Sequence, residues 1–440
     1  MNDKRQIFGW AMYDWANSAY VTTVSVAVLP IYFADVIVGK NGFELFGTLY
    51  DSKTLWGFMM SFSAMWMFWL APILGAISDF SSSKKKFLMF FCYTGSFFAF
   101  LLSFCGSGDV MRAMVFFVIA QIGFVGGNVF YDAFLPCIAD DKNIDRVSAK
   151  GFAYGYIGGG IQFTFALVLV AGHSIIGISE QTAAQIAIAM AALWWAGFSL
   201  VTFRILKESK AHERLPESYR SLPKTLAYAK IGIVRTVITA LKVRRFKHLL
   251  LFLIAFMIYN DGIQTVIFMS TIYGKEELGL PSWVLMVTLL IIQFVAFFGA
   301  LLLGWVAGKT SAKKALMITL AAWTGVVTYA YFMTSAGEFF ILGVIVGLAM
   351  GGSQALSRSL YGSMIPENAS AEFFGFYSIF NKMSAIWGPA VFAIINHMSG
   401  SARNSIVSLS VFFVLGIVLL ALVDVEKARH AKESPLFGEG

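Results

Sequence analysis

The sequence predicts an all-α membrane protein of twelve transmembrane helices, arranged as two pseudo-symmetric six-helix bundles. Three observations carry that expectation. First, 58% of residues are apolar and 13% charged, with a mean hydropathy of +0.73, whereas a soluble domain carries about a quarter charged residues. Second, apolar runs of eighteen or more residues recur along the chain, each long enough to cross a hydrocarbon core of about 30 Å. Third, a short motif occurs twice, 229 residues apart: Gly75…Asp79 followed by Lys84, Lys85 and Lys86, and Gly304…Gly308 followed by Lys313 and Lys314. In both copies nine residues separate the first Gly from the first Lys, and long apolar runs flank the motif. Backbone groups in lipid must be satisfied internally, so the runs are helices or barrel strands. They are too long and too uniformly apolar for strands that alternate over about ten residues.

The runs place spans at 10–36, 54–79, 87–106, 113–138, 150–171 and 183–206 in the first half. The second half gives 249–273, 282–308, 315–334, 339–365, 372–396 and 403–424. The expected organisation is a first bundle at 1–206, a linker at 207–248, and a second bundle with its tail at 249–440. No small-residue cleavage site follows Lys4-Arg5, so the first helix is expected to be retained. With the N-terminus inside, the loops and tails on the inner side collect 25 Lys and Arg against 5 on the outer side. The positive-inside bias then makes both termini and the linker cytoplasmic. Within the linker, Ala227, Ile231, Val234, Ile238 and Leu241 follow Pro223 at helical spacing, while Lys224, Lys230, Arg235, Lys242, Arg244, Arg245 and Lys247 fall mostly at other positions. That pattern predicts a basic amphipathic helix on the inner leaflet, with a solvated linker as the alternative.

Duplicated bundles in transporters put the substrate between the halves, near mid-membrane. Span four ends in Gly126-Gly127-Asn128 and Pro136, span ten in Gly351-Gly352-Ser353-Gln354 and Pro366. Small residues at matching depth let helix backbones approach closely.

The Gly75…Asp79 stretch with its lysines resembles the loop signature of the major facilitator superfamily. The stretches Tyr13-Asp14-Trp15-Ala16-Asn17, Tyr259-Asn260-Asp261-Gly262-Ile263-Gln264, Gly351-Gly352-Ser353-Gln354 through Arg358, and Glu372-Phe373-Phe374-Gly375 narrow it. They are similar to the unknown-major-facilitator branch, related to the fungal autophagy-linked vacuolar amino-acid effluxer. Arg146-Val147-Ser148 and Gly155 through Gly159 fit the same branch. The resemblance implies the major facilitator fold, alternating access, and cavity walls built from spans one, four, seven and ten. It also implies a bacterial inner membrane and Asp79 packed against a neighbouring helix N-terminus, with Gly75, Lys84, Lys85, Gly304 and Lys313 in the conformational gate. Two departures stand out. Gly308 replaces the acid of the first loop copy, so a charged latch is one-sided, and Gly158-Gly159-Gly160 stands where proton-coupled drug antiporters have Gly-Pro-Gly.

Charges inside a membrane cost about 2.5–3.5 kcal/mol each even on the insertion scale, so each needs a reason. Asp14, Asp132, Asp261, Arg358 and Lys382 lie within spans one, four, seven, ten and eleven. Asp261, with Tyr259, Asn260 and Gln264 beside it, is expected in a low-dielectric cavity, where a carboxylate can exchange protons or hold a substrate amine. The alternative is an Asp held by a helix terminus. Arg358 either pairs with Asp132 or Asp14 and closes the inner mouth, or binds a substrate carboxylate. Tyr13, Asn17, Asn128 and Gln354 complete the candidate substrate set. Lys382 is expected to snorkel or pair structurally, and Trp10, Trp56 and Trp283 to anchor span ends at the interface.

Other chemistries fall away on the same residues. Gly308-Lys309-Thr310 lacks the earlier Gly of a phosphate loop, because position 303 is Leu303. The five His and three Cys show no ligand or disulfide spacing, so neither a metal nor a cofactor is expected. No Ser/His/Asp or Cys/His set supports an enzyme, and the positive charge follows topology rather than a nucleic-acid face. The sequence therefore predicts a monomeric secondary transporter of a small solute, an amino acid or related zwitterion, with protons as candidate coupling ions. Export of amphiphiles, or a non-transporting receptor or scaffold, are the alternatives.

Overall fold

The computed structural model describes residues 3–40, 42–45, 47–208, 223–242 and 246–432. Among them, twelve helices are long and apolar enough to cross a membrane: Lys4–Val38, Ser52–Ser81, Lys84–Leu102, Val110–Ile138, Ile144–Ala171 and Glu180–Ile205, then Lys247–Lys275, Trp283–Lys309, Ala312–Phe332, Ala336–Met364, Glu367–Ser399 and Ala402–Leu422. They are spans one to twelve below. Each matches an expected run. Several starts are fixed by side chains: Asp51, Ser179, Ser311 and Ser335 each accept a first-turn N–H, which satisfies donors that the helix itself leaves orphaned.

Spans one and eleven depart most from regular helix, while spans four and twelve carry one-residue interruptions after Ala133 and Ser408. Span one widens into π-helix over Tyr20–Val28 and Phe33–Val38, either side of Pro30. Span eleven is two helices, Ser370–Met383 and Trp387–Ser399. Pro389 explains the second break, since its ring clashes with the carbonyl four residues earlier, that of Ala385, and it offers no N–H. A short hairpin pairs Phe43–Leu45 with Thr48–Tyr50 at the end of span one away from the linker.

The halves meet along two symmetric seams. Span five lies against spans eight and ten, and span eleven against spans two and four. The duplication exchanges these seams, five for eleven, eight for two and ten for four. At the linker end both seams are closed by bare backbone. A Cβ on Gly75 would collide with the Ala371 carbonyl, and one on Gly304 with the Ala149 side chain. Glycine at both sites is what lets the helices touch there.

The linker contains the expected helix, Lys224–Lys242. Its buried line is Ala227, Ile231, Arg235 and Thr239, packed on span two, where Gly232 meets Ile73 and Ile77, and Arg235 lies 5.8 Å from the Phe80 ring. Val234, expected on the apolar stripe, points outward with Leu226, Ile233 and Val237, and Arg235 sits on the packed face rather than among the exposed bases. The side chain of Leu241 lies outside the described residues. A second correction concerns Trp10. Span one begins six residues before the expected start, so Trp10 is fully buried rather than interfacial, whereas Trp283 is exposed.

Candidate functional site

A cavity of about 480 Å³ runs between the halves from a charged floor near the linker end toward the opposite end. Its floor carries Asp14, Asp132 and Arg358, its middle Asn17, Asn128, Asn260, Gln264, Gln293 and Gln354, and its far end Ala27, Tyr273, Met333 and Phe339. Spans one, four, five, seven, eight and ten supply most of the walls. The size falls in the usual range for small-ligand sites, about 300–1,000 Å³.

The floor is one bonded unit that crosses the seam. Arg358 comes from span ten of the second half; everything that holds it belongs to the first. Its Nη1 lies 3.0 Å from Asp132 Oδ1 and 3.3 Å from Asp14 Oδ2. Its Nε donates to Ser148 Oγ at 3.0 Å and its Nη2 to the Ser148 carbonyl at 2.9 Å. The guanidinium packs on Phe152 at 4.0 Å and lies beside the stacked Trp10 and Tyr131 rings, 4.9 and 5.3 Å from their centres. Tyr131 donates to Asp14 Oδ2 at 2.7 Å, and Trp10 Nε1 donates to the Tyr131 carbonyl at 2.8 Å. With Nε, Nη1 and Nη2 all engaged and the side chain only 3% exposed, Arg358 does not present the two-pronged face that a substrate carboxylate would need in this state. Its partners are the two acids that the sequence offered for pairing, Asp14 and Asp132, both from the other half.

Beside it, Tyr156 donates to Gln354 Oε1 at 2.9 Å and Ser148 Oγ to the Ala355 carbonyl at 2.8 Å, both across the same seam. Asn17 bonds Asn128 at 2.6 Å within the first half.

The other seam carries a second buried charged cluster. Asp79 Oδ1 lies 2.9 Å from Lys84 Nζ, and Asp79 Oδ2 accepts the Glu372 N–H at 2.9 Å. A carboxylate there meets the positive end of the Ser370–Met383 helix. Lys84 continues to Ser370 Oγ at 2.7 Å, which donates to the Ala133 carbonyl at 2.8 Å. Both charged side chains are buried, at 0% and 3% exposure. Removing one member of such a pair costs about 3–5 kcal/mol, because the other charge is left stranded. Lys85 contributes only its backbone N–H, to Glu208 at 3.0 Å. Lys313 also stays out of the seam: its ammonium donates to the carbonyls of Ala421 and Val423, both at 2.8 Å, at the end of span twelve in its own half.

Asp261 corrects the expectation most sharply. It does not line the cavity. Its carboxylate accepts the backbone N–H groups of Trp387 at 3.0 Å and Gly388 at 2.8 Å, capping the second helix of broken span eleven. Neighbouring Asn260 donates to Asn381 Oδ1 at 3.0 Å and to Ser384 Oγ. Span seven thus holds both sides of the break. The orphan N–H groups at a helix start attract an anion in any medium, and more strongly in a dry one. The alternative weighed for Asp261, an acid held by a helix terminus, describes its position.

Tyr13 and Tyr259 are likewise off the cavity wall; Tyr259 bonds Ser357 at 2.6 Å. Lys382 ends the first helix of span eleven, where a cation suits the negative helix end. Sequence reasoning did not single out Ser148, Tyr131, Phe152 or Ser370. The signal for the first three was their position one to four residues from an intramembrane charge or within a flanking motif. For Ser370 the only signal was its place just after Pro366.

Comparison with known proteins agrees with this architecture. The family described as "Vacuole effluxer Atg22 like" matches residues 2–433. An uncharacterised MFS-type transporter of Bacillus subtilis, YxiO, is 34% identical over 98% of this chain and 97% of its own length. Autophagy-related protein 22-1 of Aspergillus niger is 30% identical over 65% of this chain and 48% of that protein. Among solved structures, the fucose:proton symporter FucP of E. coli superposes with a TM-score of 0.68, covering 96% of this chain and 98% of FucP at 11% identity.

Proposed function

The chain belongs to the Atg22-like vacuole effluxer family and is a multi-pass major facilitator transporter, and from that premise we propose that it carries an amino acid or related small zwitterion by alternating access, using the Arg358 cluster as the gate at the linker end. The observation that carries this reading is the floor of the cavity. A cation from one half is gripped by two carboxylates and a Ser from the other, directly beneath a space of small-solute size whose largely apolar wall carries Asn17, Asn128, Asn260, Gln264, Gln293 and Gln354.

The gate works because it is buried. Parting the halves at the linker end must separate Arg358 from Asp14, Asp132 and Ser148, and Lys84 and Asp79 from Ser370 and Glu372. Each separation is unfavourable until water or a ligand replaces the lost partner. Rigid backbone contacts at Gly75 and Gly304 then make the change a rocking of two bodies rather than a local bend. With the linker on the cytoplasmic side, as the charge bias reads, of the bacterial inner membrane that the family resemblance implies, this state is closed to the cytoplasm. Proton coupling falls to Asp14 and Asp132, the only carboxylates among the described residues that touch the cavity; Asp261 holds span eleven together instead.

The test is flux into proteoliposomes across an amino-acid panel, with and without a pH gradient. Saturable amino-acid flux that Arg358→Gln abolishes is expected. Transport of amphiphiles with no amino-acid flux would overturn the substrate, and no flux of any solute would overturn the reading as a carrier.

A further inference from the structure

The charged groups at the cavity floor do not balance. Asp14 and Asp132 face one guanidinium, and no Lys, His or second Arg lines the cavity among the described residues. One negative charge is left over in a site where charge is poorly screened. The three groups are also unequally satisfied. Asp14 has Tyr131 at 2.7 Å as well as Arg358 at 3.3 Å. Arg358 makes two further bonds, both to Ser148, that involve neither acid. Asp132 holds Arg358 through a single Nη1 contact to Oδ1, and its side chain is the most exposed of the three, 18% against 12% and 3%. Because Asp132 lines the cavity, that exposed carboxylate edge meets cavity solvent.

From this asymmetry we infer that Asp132 is the binding site for a substrate ammonium, and that the amine takes Asp132 from Arg358, so that capture loosens the linker-end gate. The inference rests on the transporter reading above and names the group recognised. Asn128 lies one helical turn before Asp132, on the same face of span four, and carries Asn17 on its side chain. An ammonium with three donors can therefore meet a carboxylate and then amide oxygens on one wall. Above the floor, Val21, Ile263, Leu289 and Ile292 supply apolar wall for an aliphatic portion. A free carboxylate meets the opposite situation, since the net charge repels it and Arg358 is already engaged.

The consequence for the gate follows from which half owns each group. Asp132, Asp14 and Ser148 belong to the first half and Arg358 to the second, so any cation that neutralises Asp132 from the cavity removes one of the ties between halves. The chain carries its own reporter. Cys137 Sγ lies 3.6 Å from Lys84 Nζ, inside the neighbouring latch, while Cys92 and Cys105 are buried.

The experiment uses the full chain in nanodiscs with three matched probes: leucine, isopentylamine, which keeps only the amine, and 4-methylpentanoate, which keeps only the carboxylate. Binding is followed by thermal shift, and opening by maleimide labelling of Cys137 read by mass spectrometry. The amine probe should bind and speed Cys137 labelling, and the carboxylate probe should do neither. Asp132→Asn should weaken amine binding at least tenfold and label faster without any probe, and Asp132→Glu should restore amine binding. Equal binding of the two half-probes, or amine affinity within twofold of the parent in Asp132→Asn, overturns the inference. Leucine flux that survives with no response to isopentylamine sinks this inference alone. Amine binding through Asp132 without flux of any amino acid sinks the substrate reading and leaves this one standing.

Discussion

The two copies of the duplicated loop, 75–86 and 304–314, share one spacing and end in different situations. In both, the leading glycine is pressed against the opposite half, Gly75 on Ala371 and Gly304 on Ala149. Beyond the glycine they diverge. Asp79 and Lys84 reach across to Glu372 and Ser370 and are buried there. Gly308 has open space where a side chain would be, and Lys313 turns back to carbonyls of its own half. Close packing thus recurs in both copies of the loop, whereas the first copy alone of the two puts buried charge into its seam. The second seam is instead tied by Arg358, deeper in the membrane and under the cavity. The two charged clusters are therefore not symmetric copies: one lies at the helix ends by the linker and one at the floor of the cavity.

The comparison breaks or sharpens under substitution. The largest effect is expected for Asp79→Asn, which strands Lys84 and weakens the closed state by about 3–5 kcal/mol. Cys137 labelling should accelerate at least a hundredfold; an unchanged rate would mean that the first copy is no latch. Gly75→Ala and Gly304→Ala come next and should resemble one another. Each forces a methyl into a closed contact, costing about 1–3 kcal/mol, read as faster Cys137 labelling in both. A large effect in one and none in the other would undo the claim that packing is shared. Asp261→Asn should lower thermal stability by about 0.5–2 kcal/mol, the scale of a lost helix cap, with little change in Cys137 labelling. A changed pH dependence of transport in that variant would return Asp261 to a coupling role. The smallest effect is expected for Lys313→Ala, about 1 kcal/mol or less for hydrogen bonds kept within one half. Its labelling rate should match the parent, and a rate like that of Asp79→Asn would make the copies equivalent after all.

Much of this was legible in the chain, for reasons that differ by residue. The twelve spans follow from apolar length alone, because nothing else satisfies the backbone in lipid. The meeting of Arg358 with Asp14 and Asp132 was legible because an intramembrane charge must find a partner, and these lay at one depth. Asp261 obeyed the same rule but found a backbone partner instead. The break that offered it, 384–386 ahead of Pro389, sits inside an apolar run that reads as continuous, so only the proline hinted at free N–H groups. Trp10 was misplaced because span one starts earlier than its apolar run, which puts the indole two turns inside a helix. The linker helix was legible as a helix. Its packed face was not, because Arg235 lies over Phe80, and a cation on an aromatic ring leaves no trace in apolar periodicity.

The central claim is that Arg358, held by the other half, keeps the linker end shut. The direct measurement is the labelling rate of Cys137 in Arg358→Gln against the parent, both in nanodiscs without substrate. The variant leaves Asp14 and Asp132 without their cation, and a rise of at least tenfold is expected. Equal rates in the two proteins would show that the halves stay closed without Arg358 and would contradict the account.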